Sequence, residues 1–162
     1  MRSLFLGTRE GIAGAVYGTI VVLAALTAGA SAYEHDLWRL VAIVAASVLV
    51  LWVAHAYAHG LGESLALDRR LTGAERREVA RREVSIALAA VLPLTAVTLG
   101  ALGTLEESAA LWIAFGIGIA TLAVQGVRYA QLERFGLPGT LLAVGVNVTL
   151  GLVLVAVKVL LS

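Results

Sequence analysis

Five stretches of the chain, 11–30, 37–60, 84–103, 109–129 and 139–161, each run for about twenty apolar residues with almost no charge. A helix rises about 1.5 Å per residue, so each stretch is long enough to cross the ~30 Å hydrocarbon core of a bilayer. Transmembrane strands need segments of about ten residues with alternating polarity, whereas these stretches are continuous, so helices are the expected spanning element. Hydrophobic residues make up 60% of the 162 positions and charged residues only 14%, with a mean hydropathy of +0.93. Five spans consume nearly all of that apolar content and leave no room for a sizeable soluble domain. The chain lacks cysteine, which excludes a disulfide scaffold, and its net charge of +1 comes without the concentrated basic face that a nucleic-acid partner needs. The expected fold class is all-α: residues 1–162 form a single five-helix transmembrane domain in a lipid bilayer.

The connections are short except for one, 61–83, which holds Arg69, Arg70, Arg76, Arg77, Arg81 and Arg82 among Asp68, Glu75, Glu78 and Glu83. Within it, Thr72-Gly-Ala-Glu75 has the pattern of a capping box and predicts a short charged helix in about 64–83 that runs directly into the third span. Placing the N-terminus inside puts ten basic residues on the inner side: Arg2, Arg9, the six linker arginines, Arg128 and Arg134. Only Arg39 and Lys158 then lie outside. The positive-inside rule therefore predicts N-terminus in and C-terminus out, with Trp38 and Trp112 at the outer interface and Tyr129 and Phe135 at the inner one. Met1 to Ala32 also has the early arginine, apolar core and small-residue run of a signal peptide. Its apolar part is longer than usual and carries Glu10 and Tyr17, so a retained helix is expected.

This topology places Tyr17, His55, Gln125 and Asn147 in the inner halves of their spans, with His59 and Glu63 one and two turns beyond His55 at the inner mouth. Polar side chains in a bilayer are costly unless they pair or line water, so the asymmetry predicts a polar cavity open to the cytoplasm, lined by Tyr17, Gln125 and Asn147. For Gln125 and Asn147 the alternative is hydrogen-bonded packing between helices. The pattern His55-x-x-x-His59-x-x-x-Glu63 sets its members four apart on one helix face, where either neighbouring pair can chelate a divalent ion. The outer two are separated by about 12 Å, so a complete site needs ligands from another helix or subunit. Imidazole with carboxylate favours Fe(II), Mn(II), Co(II) or Zn(II) as a substrate; no prosthetic group is expected. His35, in the acidic loop with Glu34 and Asp36, reads as solvated. Gly11, Gly14 and Gly18 form a small-residue stripe along the first helix that admits another backbone closely, and Gly116, Gly118, Gly145 and Gly151 have the same potential. No phosphate loop, nucleophile elbow or paired carboxylate stands at a spacing that suggests an enzyme.

Arg9-Glu10, Gly14 and Gly18 in the first span, His59-Gly60-Leu61-Gly62-Glu63 after the second, and Leu92-Pro93-Leu94 in the third resemble the vacuolar iron transporter family. Tyr17 stands where that family has an aspartate, His59 where it has a methionine, and the charged linker is shorter than its glutamate-rich cytoplasmic domain. The resemblance implies a homodimer whose first two helices line a path for divalent iron or a similar metal, exchanged for protons. The leading expectation is thus a proton-coupled divalent-metal transporter with His59 and Glu63 as gate-side ligands, His55 deeper, and Tyr17 lining the path. The alternative is a membrane scaffold or partner-binding subunit that keeps the fold without the path; a small channel lacks a recognisable filter. Arginine outnumbers lysine, which occurs only as Lys158, a codon habit pointing to a GC-rich bacterial genome and hence the plasma membrane.

Overall fold

A computed structural model describes residues 9–33 and 36–161; Arg2, Glu34 and His35, and the first eight residues of the possible signal segment, lie outside the described residues. Among those described, all regular secondary structure is helical: α1 (Arg9–Ala32), α2 (Leu37–Ala66), α3 (Gly73–Arg82), α4 (Val84–Leu88), α5 (Val91–Ala101), α6 (Glu107–Leu132) and α7 (Leu137–Leu161). Four of these, α1, α2, α6 and α7, are each long and apolar enough to cross a membrane. A fifth crossing arises if the helical run Gly73–Leu88 and α5, bent by 47° at their junction, count as one span.

The break has a covalent cause. Proline lacks an N–H and its ring crowds the carbonyl four residues earlier, so Pro93 cannot continue a helix through Ala89. It sits instead in the first turn of α5, where its missing donor costs nothing. The expected third span at 84–103 is therefore two helices rather than one. The second expected span also differs, because α2 continues past Gly60 to Ala66. Its end is a left-handed turn at Asp68, with φ of 49°, where the Asp68 and Arg69 amides donate back to the Leu65 and Ser64 carbonyls. At its other end the Asp36 carboxylate accepts from the Arg39 amide at 3.0 Å and caps the helix.

The central helix is α1, which packs against α2, α4, α6 and α7. Its second half carries Val22, Leu23 and Leu26 into an apolar core with Leu40 and Val44 of α2, Val97 of α5, and Phe115 and Leu122 of α6. Its first half packs differently. A Cβ on Gly14 would overlap the Ser85 Oγ of α4, and one on Gly18 would lie 2.5 Å from the Ile86 carbonyl oxygen and 2.9 Å from its Cα. The glycine stripe thus receives the backbone of α4 within the same chain. Gly118 and Gly151 are also tightly packed, both against Leu23 among others, whereas Gly116 and Gly145 face open space. Large apolar side chains point outward along α2 (Leu49, Val50, Val53) and α7 (Leu141, Leu142, Val146), an exposure compatible with lipid and unfavourable in water.

Replacing Gly18 with alanine should force α1 and α4 apart and lower stability by about 1 to 3 kcal/mol. Thermal unfolding in detergent micelles measures this, with Gly116→Ala as the control that keeps or slightly raises the midpoint. Equal midpoints for the two variants would mean that the close approach is unimportant.

Candidate functional site

Chain order places the start of α1, the end of α2, α3, the end of α6 and the start of α7 at one end of the bundle. At that end a cavity of about 310 Å³ opens between α1, α2 and the α3–α4 junction, a corner by its place beside the other two helices. Glu10 and Tyr17 line it from α1, His55, His59 and Glu63 from α2, and Arg82 and Glu83 from the corner. Periodicity explains each contribution. Glu10, Gly14 and Tyr17 follow one another by four and three residues and so share a face of α1, as His55, His59 and Glu63 do on α2.

The third wall depends on α3, and α3 is anchored by its own N-terminus. Thr72 Oγ1 accepts from the Glu75 amide at 3.3 Å and the Glu75 carboxylate accepts from the Thr72 amide at 2.7 Å, the reciprocal pair of a capping box. Arg69 forks onto the same carboxylate at 2.7 and 3.0 Å. Those bonds, first from Arg69 and then from Thr72, hold the Glu75 pKa down to about 2 from the ordinary 4.5. Further along, the Trp52 indole N–H of α2 donates to the Ala80 carbonyl at 3.0 Å and pins the end of α3 against α2.

That placement brings Glu83 into the cavity. Val79, Glu83 and Ile86 occupy one face by helical spacing, and the flanking pair is buried, so the carboxylate between them is buried too, at 9% exposure. Its Oε1 lies 2.5 Å from His59 Nδ1. Glu63 pairs instead with Arg82 Nη1 at 3.1 Å, and Arg82 Nε also stands 3.8 Å from Glu78. Deeper in the cavity the Tyr17 and His55 rings are stacked at a tilt with centroids 4.8 Å apart, and His55 meets His59 edge-on at 6.1 Å. The cavity therefore holds three carboxylates and two imidazoles against one guanidinium. Such a surplus of negative and neutral donors draws cations.

Tyr17, His55, His59 and Glu63 are thus brought together, while Gly14 and Gly18 form the seam beneath them. Gln125 and Asn147 lie elsewhere. Gln125 continues the buried stripe of Gly118 and Leu122 on α6, at 4% exposure, and its Oε1 has no hydrogen-bond partner among the described residues. Asn147 donates to the Ala143 carbonyl at 3.2 Å and lies against Gly126, where α6 and α7 meet. It borders a separate, mostly apolar groove of about 730 Å³ between α1 and α7, which meets the polar cavity at Ala13 and Tyr17.

Glu83 and Arg82 were not among the ligands expected from sequence. The signal for Glu83 was an acidic residue inside an apolar stripe that runs through the end of the charged helix; Arg82 has none beyond its charge. Among the described residues no group of three or more histidine, aspartate or glutamate side chains is arranged to hold a metal ion. Comparison with known proteins gives no match to a family model, to a curated protein or to a solved structure.

Because its folded pKa is depressed, the Glu75 carboxylate contributes to the fold in full above about pH 4.5 and loses that contribution as pH falls through about 2. Protection factors for the first-turn amides of α3, measured by hydrogen exchange, should fall across that window. Glu75→Gln should show weakened protection above about pH 4.5 and no further fall across that window. A wild-type profile that stays flat down to pH 2 would contradict the role given to this carboxylate.

Proposed function

We propose that this protein crosses the bilayer five times, with α4 and α5 as one bent span, the N-terminus and α3 in the cytoplasm and the C-terminus outside. The bundle end that carries α3 also carries Arg128 and Arg134, whereas Arg39, Glu106, Glu107 and Lys158 lie at the other, so the charge asymmetry supports this orientation. The cavity then opens at the cytoplasmic face. α2 is 30 residues long, about 45 Å, so it outruns the ~30 Å hydrocarbon core. Counted from Leu37, His55 stands at about 27 Å, just inside the inner boundary, with His59 and Glu63 about 6 and 12 Å farther out.

The function that the geometry supports best is uptake of a divalent transition-metal ion, Fe(II) or Mn(II) being typical, at this cavity, and its passage through the membrane in exchange for protons. One observation carries the reading: α1, α2 and the α3–α4 corner converge Glu10, His55, His59, Glu63 and Glu83 on one cavity. Oxygen and imidazole nitrogen together suit such ions, and a ring nitrogen that ligates a metal carries no proton, so ion binding and protonation of these imidazoles exclude each other. The carboxylates are paired in the ion-free chain, Glu83 with the His59 imidazole and Glu63 with the Arg82 guanidinium, so binding exchanges one partner for another rather than neutralising isolated buried charge. With two ligating groups of one chain facing each other at His59 and Glu83, a second copy completing the coordination fits the homodimer.

The same pairing favours a second reading, a membrane scaffold whose polar network serves only to hold α2 against the α3–α4 corner. Flux separates the two. Purified protein in liposomes should admit Fe(II) or Mn(II) under a pH gradient, and His59→Ala with Glu63→Ala should cut the rate by about tenfold or more, in line with losses at metal-site residues. Absence of flux for all of Fe(II), Mn(II), Zn(II) and Co(II) would leave the scaffold.

A further inference from the structure

On the opposite flank of α2 from the metal-ligand candidates, a groove of about 400 Å³ runs along the helix to the start of α3. Its inner wall is apolar, made by Val53, Ala56, Tyr57 and Leu61, and its far end is polar, with Ser64, Arg70 and Arg76. Counted along α2 from Leu37, Val53 lies at about 24 Å, Leu61 at about 36 Å and Ser64 at about 40 Å. A hydrocarbon core of ~30 Å and a headgroup band reaching several ångströms beyond it place Val53 and Ala56 beside acyl chains, and Leu61 and the arginines in the headgroup band beside phosphates. Tyr57, 71% exposed, sits at that boundary, where aromatic rings favour the interface.

The charges match an anion. Arg76 donates from Nε to the Leu71 carbonyl at 3.2 Å, which orients its guanidinium, and neither Arg76 nor Arg70 has a carboxylate partner among the described residues. The acid nearest to them in sequence within α3, Glu75, is already taken by Arg69 and Thr72. Two guanidinium groups without a carboxylate partner among the described residues, at the end of an apolar channel of matching depth, suit a phosphodiester with acyl chains attached; the Ser64 hydroxyl is already donated to the Arg69 carbonyl at 2.7 Å.

We infer that this groove is a binding site for an anionic phospholipid of the cytoplasmic leaflet, its phosphate held by Arg70 and Arg76 and the start of its acyl chain laid along Tyr57 to Val53. The site rests on α2 crossing the bilayer and is independent of metal transport. Bound lipid ties the start of α3 to the membrane surface and so steadies the corner that presents Glu83.

Native mass spectrometry of the full-length protein, released from detergent with phosphatidylglycerol or phosphatidylcholine of matched chains, tests it. Phosphatidylglycerol should bind more tightly, by about fivefold for each engaged arginine. Arg70→Gln with Arg76→Gln should abolish the preference, Arg70→Lys with Arg76→Lys should retain most of it, and Arg77→Gln with Arg81→Gln should leave it unchanged. If the double glutamine variant loses helicity by circular dichroism, Arg70→Gln alone decides, since among the described residues that side chain makes no hydrogen bond or ion pair that its loss would break. Equal affinity for the two lipids, or a preference that survives loss of Arg70 and Arg76, would overturn the site. Alkaline extraction of cell membranes checks the spanning placement separately: a protein that is extracted would sink that placement and the lipid site with it, whatever its metal flux.

Discussion

The close approach of α1 to α4 is the constraint on which the site depends. Only glycine at position 18 lets the two backbones come so near, because any Cβ there would run into the Ile86 carbonyl. A gap of even one methyl group would lift α4 away, and Glu83, which immediately precedes α4, would leave the imidazole of His59. The apolar core in the other half of the bundle, around Leu23, Leu40 and Phe115, would tolerate such a shift far better, since none of its members needs a single partner. The molecule is thus divided along its length: one half is held by interchangeable apolar contacts and the other by a glycine seam with a specific polar network above it.

That network also answers a problem of cost. A carboxylate at 9% exposure near a membrane is expensive unless something neutralises it, and His59 stands against Glu83 while Arg82 stands against Glu63. The proposed function uses the same pairs. In that proposal an entering divalent cation takes the place of an imidazole or a guanidinium instead of entering a bare acidic pit, which keeps the ion-free protein stable.

Much of this was legible in the amino-acid sequence, for definite reasons. Apolar length gave the four long helices and the region of the bent pair, and Thr72 with Glu75 marked the start of α3 because a capping box is a local device. The spacing of His55, His59 and Glu63, and of Gly14 and Gly18, fixed their shared faces. What escaped was set by contacts distant in sequence. Nothing near Gly14 says that its partner is Ser85 of the same chain, and Glu83 looked like one more linker charge until α3 turned it inward. Gln125, for which the sequence left path lining and helix packing both open, sits in the buried stripe of α6, because its register with Gly118 and Leu122 points it into the bundle. Pro93 was visible as a motif, yet its consequence, a bend at Ala89 and Ala90 between the cavity's third wall and α5, was not.

The central claim is that His59 and its neighbouring carboxylates contact a divalent ion directly. Electron spin-echo spectroscopy of Mn(II) bound to the purified protein reads this contact through nitrogen hyperfine coupling to the ion. The account predicts an imidazole nitrogen signal that disappears in His59→Ala while the variant keeps its helical content. Bound Mn(II) with oxygen ligands alone in the unmodified protein, or a nitrogen signal unchanged by His59→Ala, would contradict it.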